Sequence, residues 1–269
     1  MRKNALKEIW AGGGAVINGW CSIPSSFSAE IMAHQGFDSI TVDMQHGLVY
    51  YEIGVTMLQA ISTTAVVPLV RVPWNEPGFL MKILDAGAYG IICPMINTPE
   101  DAESLVAACK YPPRGFRSFG PIRAKYYGGG GTHGGGDYHH FADEETLIMP
   151  QIETRQAIKN LDAILQVPGI SAIYIGPSDL SMALGKEPRK GQSDPEVVAA
   201  RTTILQAAKR HGIPAGIHTN STKVAIEMIQ EGFQLTSIQS DDRFLMAKAK
   251  EEVDAVRNGL KESRSGGSL

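Results

Sequence analysis

The feature that most constrains this chain is an alternation, repeated eight times, of short apolar segments with longer amphipathic ones. The short segments, which we predict to be strands, are 15–23, 38–45, 65–72, 90–96, 146–153, 171–177, 213–219 and 235–240. They are apolar along almost their whole length, which is typical of parallel strands buried on both faces. Eight strand–helix units favour an α/β fold, a (β/α)8 TIM barrel, over a doubly wound open sheet.

Length and composition fit one domain of this kind. The chain has 269 residues, and barrels of about 250 residues commonly form a single domain. Hydrophobic residues make up 43% and charged residues 20% of the chain, which is enough for a sizeable core. We expect the barrel to occupy residues 1–262, with its last helix starting at Asp241, and the tail 263–269 to be disordered.

Charge, apolar segments and cysteines argue against several classes of protein. The formal net charge of −3 gives no electrostatic reason to expect nucleic acid or an anionic membrane as a partner. The N-terminal residues lack the apolar segment of a secretory signal, and no apolar run approaches about 18 residues, so we expect a soluble, cytoplasmic protein. Cys21, Cys93 and Cys109 have no CxxC spacing and are predicted to be reduced core residues.

Polar side chains collect where the predicted strands end, which is the end that carries the chemistry in barrels of this type. Along the chain they are Asp43, Gln45 and His46, then Arg71, Gln151 and Glu153, the segment Gly176-Pro177-Ser178-Asp179, and His218. Gln151 and Glu153 are two residues apart, so both point to the same side of an extended strand.

Glu153 and Asp179 follow adjacent strands and form a candidate metal pair. Two converging carboxylates repel each other unless one takes up a proton or both bind a cation. Ligation by oxygen alone favours a hard divalent ion such as Mg²⁺ or Mn²⁺. The alternative is that Asp179 caps its helix and Glu153 forms a salt bridge with Arg155.

Arg71 and His46 are candidates for the chemistry beside that pair. Arg71 closes an apolar strand, where a guanidinium could hold a carboxylate or stabilise an enolate oxygen. The alternative is a structural ion pair of Arg71 with Asp43 or Glu153. His46 is a candidate acid–base residue, although a single histidine is more often structural.

The connection 111–141 interrupts the alternation. Its glycines Gly129, Gly131 and Gly134 form a GxGxxG pattern, but this pattern neither follows a predicted strand nor opens a predicted helix. We therefore predict a flexible surface loop, including the glycine-rich stretch 128–136, and not a dinucleotide site. A nucleotide-binding regulatory protein remains the alternative from a different functional class.

Six ordered motifs resemble the HpcH/HpaI aldolase family of metal-dependent class II pyruvate aldolases. They are VDMQHG (42–47), PLVRVPWNEP (68–77), KILDAGAYGIICPMINTPEDA (82–102), YPPRGFRSFGP (111–121), PQIET (150–154) and IYIGPSDLS (173–181). The resemblance extends from about Trp10 to Leu260. It implies an enzyme that makes or cleaves the C3–C4 bond of 4-hydroxy-2-oxo acids, with pyruvate or hydroxypyruvate as donor and an aldehyde as acceptor.

The resemblance also implies roles for individual residues. Glu153 and Asp179 would ligate a divalent metal (Mg²⁺, Mn²⁺ or Co²⁺), with Gln151 beside it. Arg71 would stabilise the enolate and carbonyl oxygens, and His46 would transfer a proton. The segment Gly176-Pro177-Ser178, at a helix N-terminus, would receive the carboxylate of pyruvate.

One implied residue fits the predicted barrel poorly. The family pairs its histidine with an aspartate that corresponds to Asp85, yet Asp85 closes a helix and should lie far from its own barrel mouth. Either a neighbouring subunit supplies Asp85, or Asp43 orients His46. The resemblance implies a homo-oligomer, a hexamer built as a trimer of dimers, with the C-terminal helix exchanged between subunits.

Two features bear on the type of reaction. None of the predicted strands carries a lysine at its carboxyl end, which argues against a Schiff-base aldolase. The segment RSFGPIRA (117–124) departs from the family's more frequent RGVG type, which leaves the aldehyde open. A CoA-dependent carbon–carbon lyase of the malyl-CoA or citryl-CoA type is the alternative enzyme.

Overall fold

A computed structural model describes residues 2–128, 138–188 and 193–265 of the chain. The strands are β1 (Val16–Cys21), β2 (Ser39–Asp43), β3 (Val67–Arg71), β4 (Gly90–Cys93), β5 (Leu147–Pro150), β6 (Ile173–Ile175), β7 (Ala215–Ile217) and β8 (Leu235–Ser240). Each lies within a range predicted from the sequence. The positions of all eight predicted strands are therefore confirmed.

The strands form one parallel sheet in the order β5-β4-β3-β2-β1-β8-β7-β6. The two outer strands meet through a parallel bridge between Gln151 and Tyr174, where the Ile152 amide donates to the Tyr174 carbonyl at 2.8 Å. This contact brings the sheet round on itself. The predicted TIM barrel is confirmed, and the open sheet is excluded.

Helices follow the strands and form the outer layer. They are α1 (Ala5–Ala11), α2 (Ser26–Ala33), α3 (Tyr51–Ile61), α4 (Pro77–Asp85), α5 (Pro99–Cys109), α6 (Tyr138–Glu145), α7 (Arg155–Lys159), α8 (Leu161–Leu165), α9 (Pro177–Ala183), α10 (Pro195–Arg210), α11 (Thr222–Glu231) and α12 (Asp241–Ser265), with a 3₁₀ helix at Ala124–Gly128. The segment 155–166 breaks at Asn160 into two helices. There the Asn160 side chain donates to the Asn97 carbonyl at 2.8 Å.

The apolar core has two layers. One cluster fills the barrel interior, and a larger one lies between the strands and the surrounding helices. Helix α1 closes the amino end of the barrel, since Leu6 and Trp10 belong to the interior cluster. Asn4, at its N-cap, donates to the carbonyl of Tyr89 at 3.3 Å, and the Trp10 indole donates to the carbonyl of Gln234 at 2.8 Å. The barrel is thus sealed at one end.

The connection 111–141 differs from the flexible surface loop predicted for it. In its described part, Tyr111, Ala124 and Tyr138 pack in a small buried cluster with Ala142, and Arg117 is only 2% exposed. Many other described residues of the connection are exposed, as predicted for a surface segment, but aromatic side chains pack this part of it into a small core of its own. Residues 129–137, with the GxGxxG pattern, lie outside the described residues.

Several local predictions can be checked. The three cysteines are free and buried, as predicted. Helix α12 extends to Ser265, so residues 263–265 of the predicted disordered tail are helical, and residues 266–269 lie outside the described residues. None of the described helices is long and apolar enough to cross a membrane.

Candidate active site

The alternation of side chains along β5 aims a polar pair into the barrel mouth. Leu147 and Met149 belong to the interior cluster, and Gln151 and Glu153 continue on the same side of the chain. Both polar side chains are 1% exposed. Residue parity therefore places an amide and a carboxylate inside the carboxyl end of the barrel.

Glu153 is fixed by two donors. The Met95 amide donates to Glu153 Oε1 at 3.0 Å, and the Gln151 side-chain amide donates to Oε2. Met95 has a φ of 58°, which is uncommon for a residue other than glycine and marks a constrained position. The sequence analysis did not identify Met95, because a left-handed methionine leaves no signal in the sequence.

Asp179 adds negative charge near Glu153. Burial, and further the charge of Asp179, raise the pKa of Glu153 above its ordinary value. Asp179 is exposed in the first turn of α9, whose N-cap is Gly176 with no side-chain cap. A Cβ at Gly176 would lie 2.5 Å from Glu153 Oε2, so glycine is required for this close approach.

The structure contains neither of the alternatives considered for Glu153 and Asp179, a helix cap by Asp179 or a salt bridge of Glu153 with Arg155. Asp179 does not cap its helix. Arg155 pairs with Glu196 at 3.4 Å and donates to the Ala183 carbonyl at 2.9 Å, and Glu153 is not its partner.

The donor set fits a hard divalent cation. Gln151 Oε1 is buried and accepts no hydrogen bond among the described residues, so one amide oxygen lacks a partner beside the Glu153 carboxylate. Within residues 2–128, 138–188 and 193–265, no group of three or more His, Cys, Asp or Glu side chains could hold a metal. A cation held by Glu153 and Asp179 would therefore need other ligands to complete its coordination.

Arg71 and Asp43 form a buried ion pair at the ends of β3 and β2. Arg71 Nε donates to Asp43 Oδ1 at 2.9 Å and Nη2 donates to Oδ2 at 2.6 Å. Burial by itself raises the pKa of Asp43, but the hydrogen bonds and charge of Arg71 outweigh it and hold the pKa below its ordinary value. The structural pair considered for Arg71 is therefore present. Arg71 Nη1 makes no hydrogen bond to any described residue, which leaves a donor for a ligand.

Trp20 supports this pair from β1. Its indole donates to Asp43 Oδ2 at 3.2 Å, and the Arg71 guanidinium lies 4.8 Å from its ring centroid. The sequence analysis did not select Trp20, although it shares inward parity with Val16 and Asn18 on β1.

His218 lies beside Trp20 at the end of β7. The two rings meet edge to face with centroids 4.7 Å apart, and Nδ1 of His218 is 3.3 Å from the Tyr174 hydroxyl and 3.3 Å from Ser237 Oγ. Burial, and then the charge of Arg71, lower the pKa of His218 to about 4. A buried phenol hydroxyl needs a hydrogen-bond acceptor, and Nδ1 of His218 is in place to accept from Tyr174. With Nδ1 as acceptor, the neutral ring carries its proton on Nε2.

His46 is exposed in the loop after β2. Its backbone amide donates to Asp43 Oδ1 at 3.2 Å, and the Gln45 amide donates to the same oxygen at 3.1 Å. Asp43 therefore holds the backbone of this loop, and it bonds to the main chain of His46 and not to the ring.

Asp85 does not join these residues within one chain. It ends α4, and its Oδ1 accepts from Arg117 Nη2 at 2.5 Å. Arg117 also lies over the ring of Tyr111, 4.6 Å from its centroid. The structure thus brings together Glu153, Gln151, Arg71 and Asp43, whereas Asp85 at the end of α4 contacts Arg117 of the packed connection after α5.

The HpcH/HpaI aldolase/citrate lyase family profile matches residues 20–247. A hydroxypyruvate/pyruvate aldolase from Rhizorhabdus wittichii is 37% identical over 255 residues, covering 94% of this chain and 99% of that protein. A 4-hydroxy-2-oxo-heptane-1,7-dioate aldolase from Salmonella typhimurium is 33% identical over 266 residues, covering 99% and 98%.

Solved structures agree with the sequence relatives. The crystal structure of a HpcH/HpaI aldolase/citrate lyase family protein from Burkholderia cenocepacia matches with a TM-score of 0.88 at 29% identity, covering 95% of this chain and 100% of that one. The matches extend over nearly the whole barrel and include both strands of the carboxylate pair. The chain therefore belongs to the HpcH/HpaI aldolase/citrate lyase family.

Proposed function

We propose that this chain is a metal-dependent pyruvate aldolase, a carbon–carbon lyase that makes or cleaves the C3–C4 bond of 4-hydroxy-2-oxo acids. The donor is pyruvate or hydroxypyruvate and the acceptor is an aldehyde. The observation that carries the proposal is the buried Glu153 carboxylate, whose pKa is raised by burial and by Asp179. The buried Gln151 oxygen beside it lacks a hydrogen-bond partner. The names of the relatives support the same reaction class.

Glu153 and Asp179 would hold the cation, with the Gln151 side chain next to it. Oxygen donors of this kind suit Mg²⁺, Mn²⁺ or Co²⁺. When bound, such an ion supplies Lewis-acid polarisation of the 2-oxo group.

Arg71 and the start of α9 would bind the 2-oxo acid. Two guanidinium nitrogens of Arg71 are fixed by Asp43, and Nη1 remains to donate to a substrate oxygen where negative charge develops. The Gly176-Pro177-Ser178 segment begins α9, and the backbone amide of Ser178 would meet the carboxylate there.

His46 and His218 would handle the acceptor. His46, exposed at the mouth, is our candidate for the base that removes the 4-hydroxyl proton in cleavage. His218 would donate a hydrogen bond from Nε2 to the oxygen of the aldehyde. With a pKa of about 4, its imidazole is neutral and can donate without carrying charge.

Asp85 would act only between subunits. Its carboxylate is held by Arg117 within the chain, so we assign its pairing with His46 to a second copy in a homo-oligomer, with a hexamer and an exchanged α12 as the expected assembly. If the protein were a monomer with full activity, Asp43 would be the residue that orients the His46 loop.

The test compares two carboxylates in one set of assays. Glu153→Gln should abolish exchange of the pyruvate methyl protons and aldol cleavage, because it removes a ligand while keeping the side-chain shape. Glu103→Gln, an exposed site on α5, is the matched control and should behave as wild type. Full activity of wild type in excess chelator would refute the metal, and tight binding to immobilised CoA would favour the CoA-dependent alternative.

A further inference from the structure

A cavity of about 690 Å³ lies at the sealed end of the barrel. Its wall includes Trp10 of α1, Leu147 at the first position of β5, and Ser171 just before β6. Glu153 follows the opposite end of β5. This basal cavity is therefore separate from the candidate active site, and its volume is in the range of small-molecule sites, about 300–1,000 Å³.

Three cations reach the wall of the basal cavity. They are Lys7 on α1, and Lys110 and Arg114 after α5. Within the part of the chain that the structure describes, none of the three is ion-paired with a carboxylate. The same wall also carries two acidic residues, Asp143 and Glu144. Three cations against two carboxylates leave one positive charge in excess, which favours an anion as occupant.

The two ammonium groups have donors to spare. Lys7 Nζ donates to the carbonyl of Glu144 and Lys110 Nζ to the carbonyl of Asp143, both in the last turn of α6. An ammonium has three N–H donors, and Lys110 is only 7% exposed, so water satisfies few of them. The Asp143 carboxylate, meanwhile, accepts from the Tyr111 amide at 3.0 Å.

Burial is the main influence on the charge of Lys110. Burial lowers the pKa of its ammonium group, the charges of Asp143 and Cys109 offset part of this shift, and the charges of Lys7 and Arg114 add to it, which leaves the pKa at about 8. A bound anion would reverse this balance and favour the charged ammonium.

Part of the remaining wall is apolar. Trp10, Leu147 and Ile170 contribute side chains to it beside the three cations. Such a wall favours a ligand with an apolar body over a bare inorganic anion, because the body removes apolar surface from water.

We propose that the basal cavity binds a small organic carboxylate, with its charged group between Lys7, Lys110 and Arg114. Its apolar body packs against Trp10, Leu147 and Ile170. This site is independent of the aldolase reaction and of the metal.

Calorimetric titration with benzoate tests the site in the intact protein with Mg²⁺ and saturating pyruvate, which keep the barrel mouth occupied. Benzoate should bind at one site per chain, and benzamide, which has the same ring without charge, should bind at least about tenfold more weakly, equivalent to about 1.4 kcal/mol. Inorganic phosphate, with charge and no apolar body, should also bind more weakly than benzoate.

Three variants test whether benzoate binds in the basal cavity. Lys110→Met should weaken benzoate binding at least about tenfold, and Arg114→Gln, at an exposed position, should weaken it without disturbing the core. Lys3→Gln removes one exposed positive charge near α1 and outside the cavity wall, and it should leave the Kd unchanged. Equal Kd values for wild type and Arg114→Gln would overturn the proposal.

The pH dependence gives a second readout. With a pKa of about 8 for Lys110, the ammonium is mostly charged at pH 7 and mostly neutral at pH 9. Benzoate affinity should therefore fall by about tenfold over that range. In Lys110→Met this dependence should disappear, and a wild-type Kd that is constant from pH 7 to pH 9 would contradict the assigned contact.

Discussion

His218→Leu should change how the stability of the protein depends on pH. The half-buried histidine packs against Trp20, and its pKa falls from 6.5 to about 4 on folding through desolvation and the charge of Arg71. The unfolded chain therefore binds a proton more readily than the fold between these two values. It follows that the stabilisation from neutral His218 is complete above pH 6.5 and is lost as the pH falls toward 4.

The magnitude follows from the same two pKa values. Linkage predicts that protonation of the unfolded chain removes about 2 kcal/mol of the free energy of unfolding between pH 7 and pH 5. His218→Leu should lack this component, so its urea midpoint should fall less than that of wild type over this range. His34→Gln, which removes an exposed histidine, is the control and should follow wild type.

Urea unfolding followed by circular dichroism at pH 7 and pH 5 measures the effect. For each protein, the quantity compared is the change in the free energy of unfolding between pH 7 and pH 5. A lower stability of His218→Leu at pH 7 therefore does not affect the comparison. Equal losses in wild type and His218→Leu would mean that folding does not lower the pKa of His218. This result would refute the pKa shift on which its proposed role as an uncharged donor rests.

Three further changes test the mouth of the barrel. Glu153→Ala should lose pyruvate proton exchange while retaining its circular dichroism spectrum; a loss of the fold instead would make this carboxylate structural. Arg71→Lys should lower kcat by about 10²-fold, because a single ammonium cannot both hold Asp43 with two bonds and donate to an enolate; a raised KM with unchanged kcat would limit Arg71 to binding. His46→Ala should lower aldol cleavage by about 10²- to 10⁴-fold and spare oxaloacetate decarboxylation, which moves no hydroxyl proton. Equal loss of both activities would assign His46 to an earlier step.

The polar residues at the strand ends were predictable from the sequence. Side chains alternate between the two faces of a strand, and the apolar residues before them show which face is buried. Gln151 and Glu153 follow apolar residues at even spacing, so a strand that ends at the mouth must aim both inward. Trp20 obeys the same parity on β1 and could have been found by it. What a tryptophan contacts, however, depends on the two neighbouring strands and not on its own segment.

Other parts of the site could not be predicted for physical reasons. Met95 adopts a left-handed conformation that methionine disfavours, and only the surrounding packing imposes it. Arg117 is buried by Tyr111 and Tyr138, which come together from the two ends of a glycine-rich segment. Contacts made across such a distance in the chain leave no periodic pattern.

The plug formed by α1 has a practical consequence for handling the enzyme. Leu6 and Trp10 sit in the floor of the barrel, and the Arg2 amide donates to the carbonyl of Tyr127 at 2.8 Å, so the first residues are anchored on the side away from the mouth. A resin linker or fusion partner joined there would turn the open end toward the solution. Immobilised catalyst attached in this way should keep free access for aldehydes, whereas a linker on the Gly47 loop after β2 would crowd the opening.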